Sequence, residues 1–66
     1  MTVTINGGET VVPGGTTVAE LVAARTAGSR GVAVALNGEV VPRSAWDATP
    51  LAPGDAMELL TATAGG

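Results

Sequence analysis

One segment of this sequence has the spacing of a helix, and segments with the spacing of strands lie on both sides of it. Thr17 and Glu20 form a capping box, in which the threonine hydroxyl accepts from the Glu20 amide and the carboxylate reaches back to the Thr17 amide. An apolar stripe follows at i, i+3 and i+4, made of Val18, Leu21 and Val22. We expect a helix from Val18 to about Ala27, with Gly28 as its C′ residue. In a chain of 66 residues, this helix can cover one face of one sheet.

The segment before the helix has the alternation of a β-hairpin. Residues 2–6 alternate apolar and polar side chains, and the apolar face consists of Val3 and Ile5. Gly7 and Gly8 predict a two-residue turn. Residues 9–12 then return as a second strand, which ends at a proline because proline cannot donate to the ladder.

A second hairpin is predicted after the helix. Residues 31–36 alternate large and small side chains, and we expect the large ones to face the helix; these are Val32, Val34 and Leu36. Asn37 and Gly38 are the strongest hairpin signal in the chain, because a type I′ turn needs positive φ at both central residues. Residues 39–41 form the returning strand.

The remainder of the chain predicts an irregular segment and one more strand. Residues 42–53 are expected to be irregular and carry the single aromatic residue, Trp46. Residues 53–55 form a turn, and residues 56–61 alternate as a strand. The two faces of that strand hold Met57 and Leu59 on one side and Ala56, Glu58 and Leu60 on the other.

These elements predict an α+β architecture, a mixed sheet of about five strands with one covering helix. A right-handed crossover joins the two hairpins, and the last strand fills the gap between residues 2–6 and 32–36. The strand order is then 2-1-5-3-4, which is the β-grasp, or ubiquitin-like, fold. We expect one domain over residues 1–66, in which residues 62–66 form a flexible C-terminal tail that carries two glycines.

The composition excludes most catalytic chemistry. Cysteine and histidine are absent, so the usual metal ligands, the thiol nucleophile and the usual general base are missing, and Ser29 and Ser44 have no evident base. The net charge of −3 lacks the basic footprint of nucleic-acid binding. No apolar run has membrane-spanning length, and the first residues lack the pattern of a signal peptide. We expect a cytoplasmic protein that is not an enzyme and binds no metal, nucleic acid or membrane.

The last residues of the sequence suggest a function. Ala64, Gly65 and Gly66 place a terminal carboxylate on a slim, permissive backbone that can be threaded into a narrow cleft. A partner enzyme that acts on this carboxyl group would have reason to require glycine. The alternative is a frayed, solvated tail. Lysine is absent, so no lysine side chain of this chain can receive the carboxyl group.

Residues spread along the whole chain form a recognisable pattern. They are Thr17, Val18, Leu21, Asn37, Gly38, the segment 40–43, Trp46, Gly54, Asp55 and the terminus 64–66. The pattern resembles the ThiS-type sulfur carrier protein of thiamine biosynthesis. Its more specific part is the step from Pro42 and Arg43 to Trp46, whereas the two terminal glycines are shared with the molybdopterin-synthase small subunit and with ubiquitin-like proteins.

The resemblance implies that Gly66 is the residue that carries sulfur. In the family, a ubiquitin-activating-like adenylyltransferase of the ThiF type uses ATP to adenylate the terminal carboxylate, which is then converted to a thiocarboxylate. The sulfur comes from a donor such as a cysteine desulfurase system and passes to a thiazole synthase of the ThiG type. Gly65 and Ala64 would allow the tail to reach the partner's active site. The carrier itself is implied to bind no cofactor.

Two further residues are candidates for a partner surface. Leu60 is predicted to face outward together with Ala33 and Ala35, and such an apolar group could dock a partner. Arg43 could contact a partner as well, although an arginine after a turn proline is more often a solvated charge. Trp46 is better explained as a cover over one end of the small core than as a ligand-binding residue.

The sequence is compatible with three alternative functions. The chain could carry sulfur to another acceptor, such as molybdopterin or an amino-acid precursor. A ubiquitin-like modifier would use the same carboxylate to form amide bonds with lysines of other proteins. The chain could also be a β-grasp interaction module with an idle tail.

Overall fold

The computed structural model describes residues 1–26 and 31–61, and it has the predicted strand order. The elements are β1 (Thr2–Ile5), β2 (Gly8–Val11), α1 (Val18–Arg25), β3 (Val32–Leu36), β4 (Glu39–Val41), a 3-10 helix (Arg43–Ala48) and β5 (Ala56–Thr61). The five strands form one sheet in the order β2-β1-β5-β3-β4. β1 and β5 run parallel, and the other neighbouring strands pair antiparallel. The predicted β-grasp topology is therefore confirmed.

The first hairpin turn lies one residue earlier than the glycine pair predicted. Asn6 and Gly7 are its central residues, with φ of 51° and 82°, and Gly8 already pairs with Ile5 in the sheet. A type I′ turn needs positive φ at both central positions, and asparagine followed by glycine meets that need. The predictions of a turn at Gly7 and Gly8, and of strands over 2–6 and 9–12, are wrong by this one-residue shift.

The second hairpin has the predicted turn. Asn37 and Gly38 have φ of 51° and 86°, so they repeat the geometry of Asn6 and Gly7. The register pairs Leu36 with Glu39, Ala35 with Val40 and Val34 with Val41.

The capping box at the start of α1 is present in full. The Thr17 amide donates to Glu20 Oε1 at 2.9 Å, and the Glu20 amide donates to Thr17 Oγ1 at 3.2 Å. The helix ends at Arg25, earlier than the predicted Ala27, because Thr26 adopts an extended conformation. The Thr26 amide makes the last i→i−4 bond of the helix, to the Val22 carbonyl oxygen, and the Thr26 hydroxyl donates to the same oxygen. The expected C′ residue, Gly28, lies outside the described residues.

Replacing the capping threonine is expected to weaken the domain. Thr17→Ala removes the side-chain acceptor for the Glu20 amide and should lower the free energy of unfolding by about 1 kcal/mol. Thr17→Ser, which keeps the hydroxyl, should retain most of that stability. Urea unfolding followed by circular dichroism measures both variants, and equal stability of the two would contradict a capping role.

The segment between β4 and β5 is more ordered than predicted. Residues expected to be irregular contain the 3-10 helix Arg43–Ala48, which packs against α1. Trp46 in this helix is only 5% exposed, and its Nε1 donates to the Val41 carbonyl oxygen at 2.9 Å. The indole therefore covers the core, as predicted. Its one hydrogen-bond donor is also satisfied.

The core lies between the sheet and the layer formed by the two helices. Its buried residues are Val3, Ile5, Val12, Val18, Leu21, Val22, Val34, Trp46, Leu51 and Met57. Val32, Leu36 and Leu59 pack against this cluster as partly buried residues. The predicted inward faces of the strands are therefore confirmed. The opposite sheet face, here called the outer face, is covered by none of the elements in residues 1–26 and 31–61.

Candidate functional site

The candidate site is the point where the chain leaves the sheet. β5 is the central strand, and it pairs with β1 as far as Ile5 and Met57 and with β3 as far as Val32 and Thr61. Met57, in the inward face of β5, is 1% exposed. The last described strand is thus held by neighbours on both sides and by the core beneath it.

Side chains from the two hairpin turns also bind β5. Asn37 Oδ1 accepts from the Ala56 amide at 2.9 Å, at the beginning of the strand, and Asn37 Nδ2 donates to Asp55 Oδ1 at 3.0 Å. Asn6 Oδ1 accepts from the Leu59 amide at 2.8 Å, and Asn6 Nδ2 donates to the Leu59 carbonyl oxygen at 3.2 Å. One asparagine therefore binds near each end of the strand.

The residues expected to do the chemistry follow β5 in the sequence. Ala64, Gly65 and Gly66 lie outside the described residues, as does the whole predicted tail 62–66. The structure describes the chain up to Thr61, the final residue of β5. The geometry described below is therefore that of β5, the strand that precedes these residues in the sequence.

An apolar group on the outer face lies beside this strand. Leu60 is 69% exposed and pairs with Ala33, while Ala35 pairs with Val40, which is 80% exposed. These four residues, here called the outer patch, occupy three adjacent strands. The structure thus brings together the predicted Leu60, Ala33 and Ala35, and it adds Val40, which the register of the Asn37–Gly38 hairpin could have identified.

All charged side chains in the described strands of the sheet are acidic. They belong to Glu9, Glu39 and Glu58, and Glu58 lies opposite Ala35, next to Leu60 along the outer face of β5. A partner that covers the outer patch would therefore need an apolar surface with a cationic group at its rim.

Arg43, the second candidate for a partner surface, lies away from the outer patch, and so does Trp46. Arg43 is exposed at the start of the 3-10 helix, an element that packs on α1 rather than on the outer face. Trp46 is buried in the core three residues later. Neither residue adjoins Leu60, so the outer patch and Arg43 belong to different sides of the sheet.

The described residues contain neither a cluster of metal-ligating side chains nor a membrane-spanning helix. Residues 1–26 and 31–61 contain no group of three or more acidic side chains placed to hold a metal ion. In the same part of the chain, neither helix has the length and apolar character needed to cross a membrane.

Comparison with known proteins identifies the family. The sequence model of the ThiS family matches residues 2–66. The crystal structure of the thiamine biosynthesis protein ThiS from Geobacter metallireducens is 42% identical, with a TM-score of 0.83 and full coverage of both chains. A solution structure of a thiamine biosynthesis protein from the same organism is 43% identical, with a TM-score of 0.81, and the match covers all of this chain and 88% of the other. Comparison with curated proteins gives no match. The family model spans nearly the whole sequence, and the chain belongs to the ThiS family.

Proposed function

We propose that this chain is a sulfur carrier protein of thiamine biosynthesis and that Gly66 is the residue that carries the sulfur. The observation that supports this most is the position of β5: the strand that leads to Gly66 is the central one, and it is fixed by both neighbours and by the core. Family membership and the thiamine biosynthesis proteins of similar structure support the pathway.

The chemistry of the proposal starts from a carboxylate, which is a poor electrophile. Attack of the Gly66 carboxylate on the α-phosphate of ATP forms an acyl adenylate and releases pyrophosphate. The terminal sulfur of a persulfide then displaces AMP and forms an acyl disulfide. A thiol of the partner proteins cleaves the S–S bond, which leaves the thiocarboxylate on Gly66 and a disulfide on the sulfur donor. The sulfur stays bound to the protein until it is transferred, so no free sulfide is needed.

The catalytic groups belong to partner proteins in this proposal. An adenylyltransferase of the ThiF type binds ATP and activates the terminus, a cysteine desulfurase system supplies sulfur, and a thiazole synthase of the ThiG type accepts it. The carrier is a co-substrate of these enzymes and contributes no catalytic side chain. This assignment agrees with the absence of cysteine and histidine from the sequence.

Reconstitution tests the proposed function. The purified chain, the adenylyltransferase encoded by the same genome and ATP should support exchange of labelled pyrophosphate into ATP. Deletion of Gly65 and Gly66 should abolish this exchange. Thiazole phosphate formation after addition of thiazole synthase and a sulfur source separates the thiamine pathway from a molybdopterin-type pathway, and conjugates to other proteins would instead identify a modifier.

We further propose that the outer patch docks the adenylating partner. Leu60 and Val40 are large, exposed apolar residues, and Leu60 directly precedes the final residue of β5. Burying each side chain would stabilise a complex by roughly 1.5–3 kcal/mol. Arg43 is retained as a candidate for a second contact, on the side of the sheet that carries the helices.

Two valines allow a matched test of this docking surface. Val40 and Val11 are each 80% exposed on the outer face, at opposite edges of the sheet. Val40→Ser should raise the Kd for the adenylating partner by about tenfold, because it removes apolar area from the outer patch. Val11→Ser removes the same side chain outside the patch and should leave Kd nearly unchanged. Titration calorimetry measures both values, and equal effects would contradict docking through the outer patch.

A further inference from the structure

The parallel pairing of β1 with β5 stops before the end of β5. β1 ends at Ile5, opposite Met57, and the Asn6 amide still donates to the Met57 carbonyl oxygen at 2.9 Å. The chain then turns away through Asn6 and Gly7 into β2. In a continued parallel ladder, the next backbone groups of β5 to need partners on this side are those of Leu59.

The side chain of Asn6 takes the place of the missing strand at Leu59. Its Oδ1 accepts from the Leu59 amide at 2.8 Å, and its Nδ2 donates to the Leu59 carbonyl oxygen at 3.2 Å. A carboxamide presents one acceptor and one donor side by side, as a peptide group does. Asn6 therefore continues the pairing of β5 by one residue, toward the end at which the C-terminal segment begins.

We propose that Asn6 is a positioning residue for the reaction at the C-terminus. By holding Leu59 from the β1 side, it fixes the end of β5, which carries Leu60 of the outer patch, where the pairing with β1 has already stopped. The proposal rests on the proposed function, because it assigns a purpose to that rigidity: the adenylating partner binds the outer face and receives the terminal carboxylate in one encounter.

This role differs from a simple contribution to stability, and Asn37 makes the difference measurable. Asn37 has the same φ of 51°, also precedes a glycine, and also makes two side-chain hydrogen bonds at β5. Its contacts are to Asp55 and Ala56, at the opposite end of the strand from the exit. Asn37 is therefore a matched control for Asn6.

The test uses the variants Asn6→Gly and Asn37→Gly in the full chain. Glycine keeps the positive φ that both turns require and removes only the carboxamide. In Asn6→Gly, hydrogen exchange at the Leu59 amide should accelerate, whereas in Asn37→Gly the Ala56 amide should accelerate instead. With the adenylating partner and ATP, Asn6→Gly should raise the KM for the carrier about 3- to 10-fold, because the end of β5 is in its binding-competent arrangement for a smaller fraction of the time. The kcat should stay close to that of the unaltered chain, since at a saturating concentration of the carrier every partner molecule holds a carrier in the same bound geometry. Asn37→Gly should change neither constant.

A second variant covers the case in which Asn6→Gly folds poorly. Aspartate adopts positive φ readily, so Asn6→Asp should keep the turn, and it keeps the acceptor for the Leu59 amide. It places a carboxylate oxygen against the Leu59 carbonyl oxygen, and the resulting repulsion should also raise the KM for the carrier. Equal KM values for the Asn6 and Asn37 variants, or unchanged exchange at Leu59, would overturn the role of Asn6. Absence of pyrophosphate exchange with the unaltered chain would instead overturn the proposed function, and the exchange rate of the Leu59 amide would still decide whether Asn6 holds the strand.

Discussion

Gly66→Val is expected to abolish adenylation of the chain while leaving the domain folded. The proposed reaction places the terminal residue in a narrow channel of the partner, where a branched side chain would displace the carboxylate from the α-phosphate of ATP. Misplacement of a reacting group by about 1 Å can cost a factor of about 100 in rate. We therefore expect pyrophosphate exchange to fall by at least about 100-fold, with unchanged thermal unfolding.

A glycine elsewhere in the chain supplies the control for that substitution. Gly14 is exposed, does not have a positive φ, and a side chain added there would meet open space. Gly14→Val should therefore retain both stability and pyrophosphate exchange. If Gly66→Val still supported exchange at the rate of Gly14→Val, a narrow channel that requires glycine at position 66 would be contradicted.

Trp46→Ala is expected to have the largest effect on stability. The indole is 5% exposed and is the largest apolar group of the core. A chain of 66 residues can build only a small core, so the loss of this group cannot be offset elsewhere. Truncation of a buried tryptophan to alanine costs about 3–5 kcal/mol. A domain of this size has a total stability of roughly 3–10 kcal/mol at typical values per residue, so the substitution should remove about a third of that stability or more.

Trp46→Phe separates the packing of the ring from its hydrogen bond. This variant keeps an aromatic ring in the core but leaves the Val41 carbonyl oxygen without the Nε1 donor at 2.9 Å. It should lose about 1–3 kcal/mol, less than Trp46→Ala. Chemical unfolding followed by circular dichroism gives both values. A Trp46→Ala variant that kept full stability but no longer bound the partner would show that the indole serves recognition rather than the core.

Short-range signals predicted most of the fold. The capping box of Thr17 and Glu20 identified the start of α1, and Asn37 with Gly38 identified the second turn, because each signal depends on residues within one turn of backbone. The strand order followed from a right-handed crossover between the two hairpins and from the gap that this crossover leaves for the last strand.

The errors have a common origin in competition between neighbouring signals. Gly7 and Gly8 looked like a turn, but Asn6 followed by Gly7 matches the type I′ geometry better and moved the turn by one residue. α1 ends before Gly28, since Thr26 adopts an extended conformation in which its hydroxyl donates to the Val22 carbonyl oxygen.

The contacts between distant segments could not be read from local spacing. The binding of Asn6 to Leu59 joins the first turn to the last strand, and it depends on the parallel register of β1 and β5. Val40 was likewise omitted from the predicted partner surface, although the hairpin register places it opposite Ala35. The glycines of the terminus were identified from the slim backbone that they give to the terminal carboxylate, and the resemblance to the ThiS family then assigned Gly66 the role of carrying sulfur.

The intact mass of the protein, isolated under mild conditions from its own cells, tests the central claim most directly. We expect a fraction that is heavier than the sequence mass by the difference between one sulfur and one oxygen atom, and fragmentation should locate this difference at Gly66. The same fraction should increase when ATP, the adenylating partner and a sulfur source are added. If only the unmodified mass appeared in both preparations, or if the added mass were that of another whole protein, the sulfur-carrier account would be contradicted.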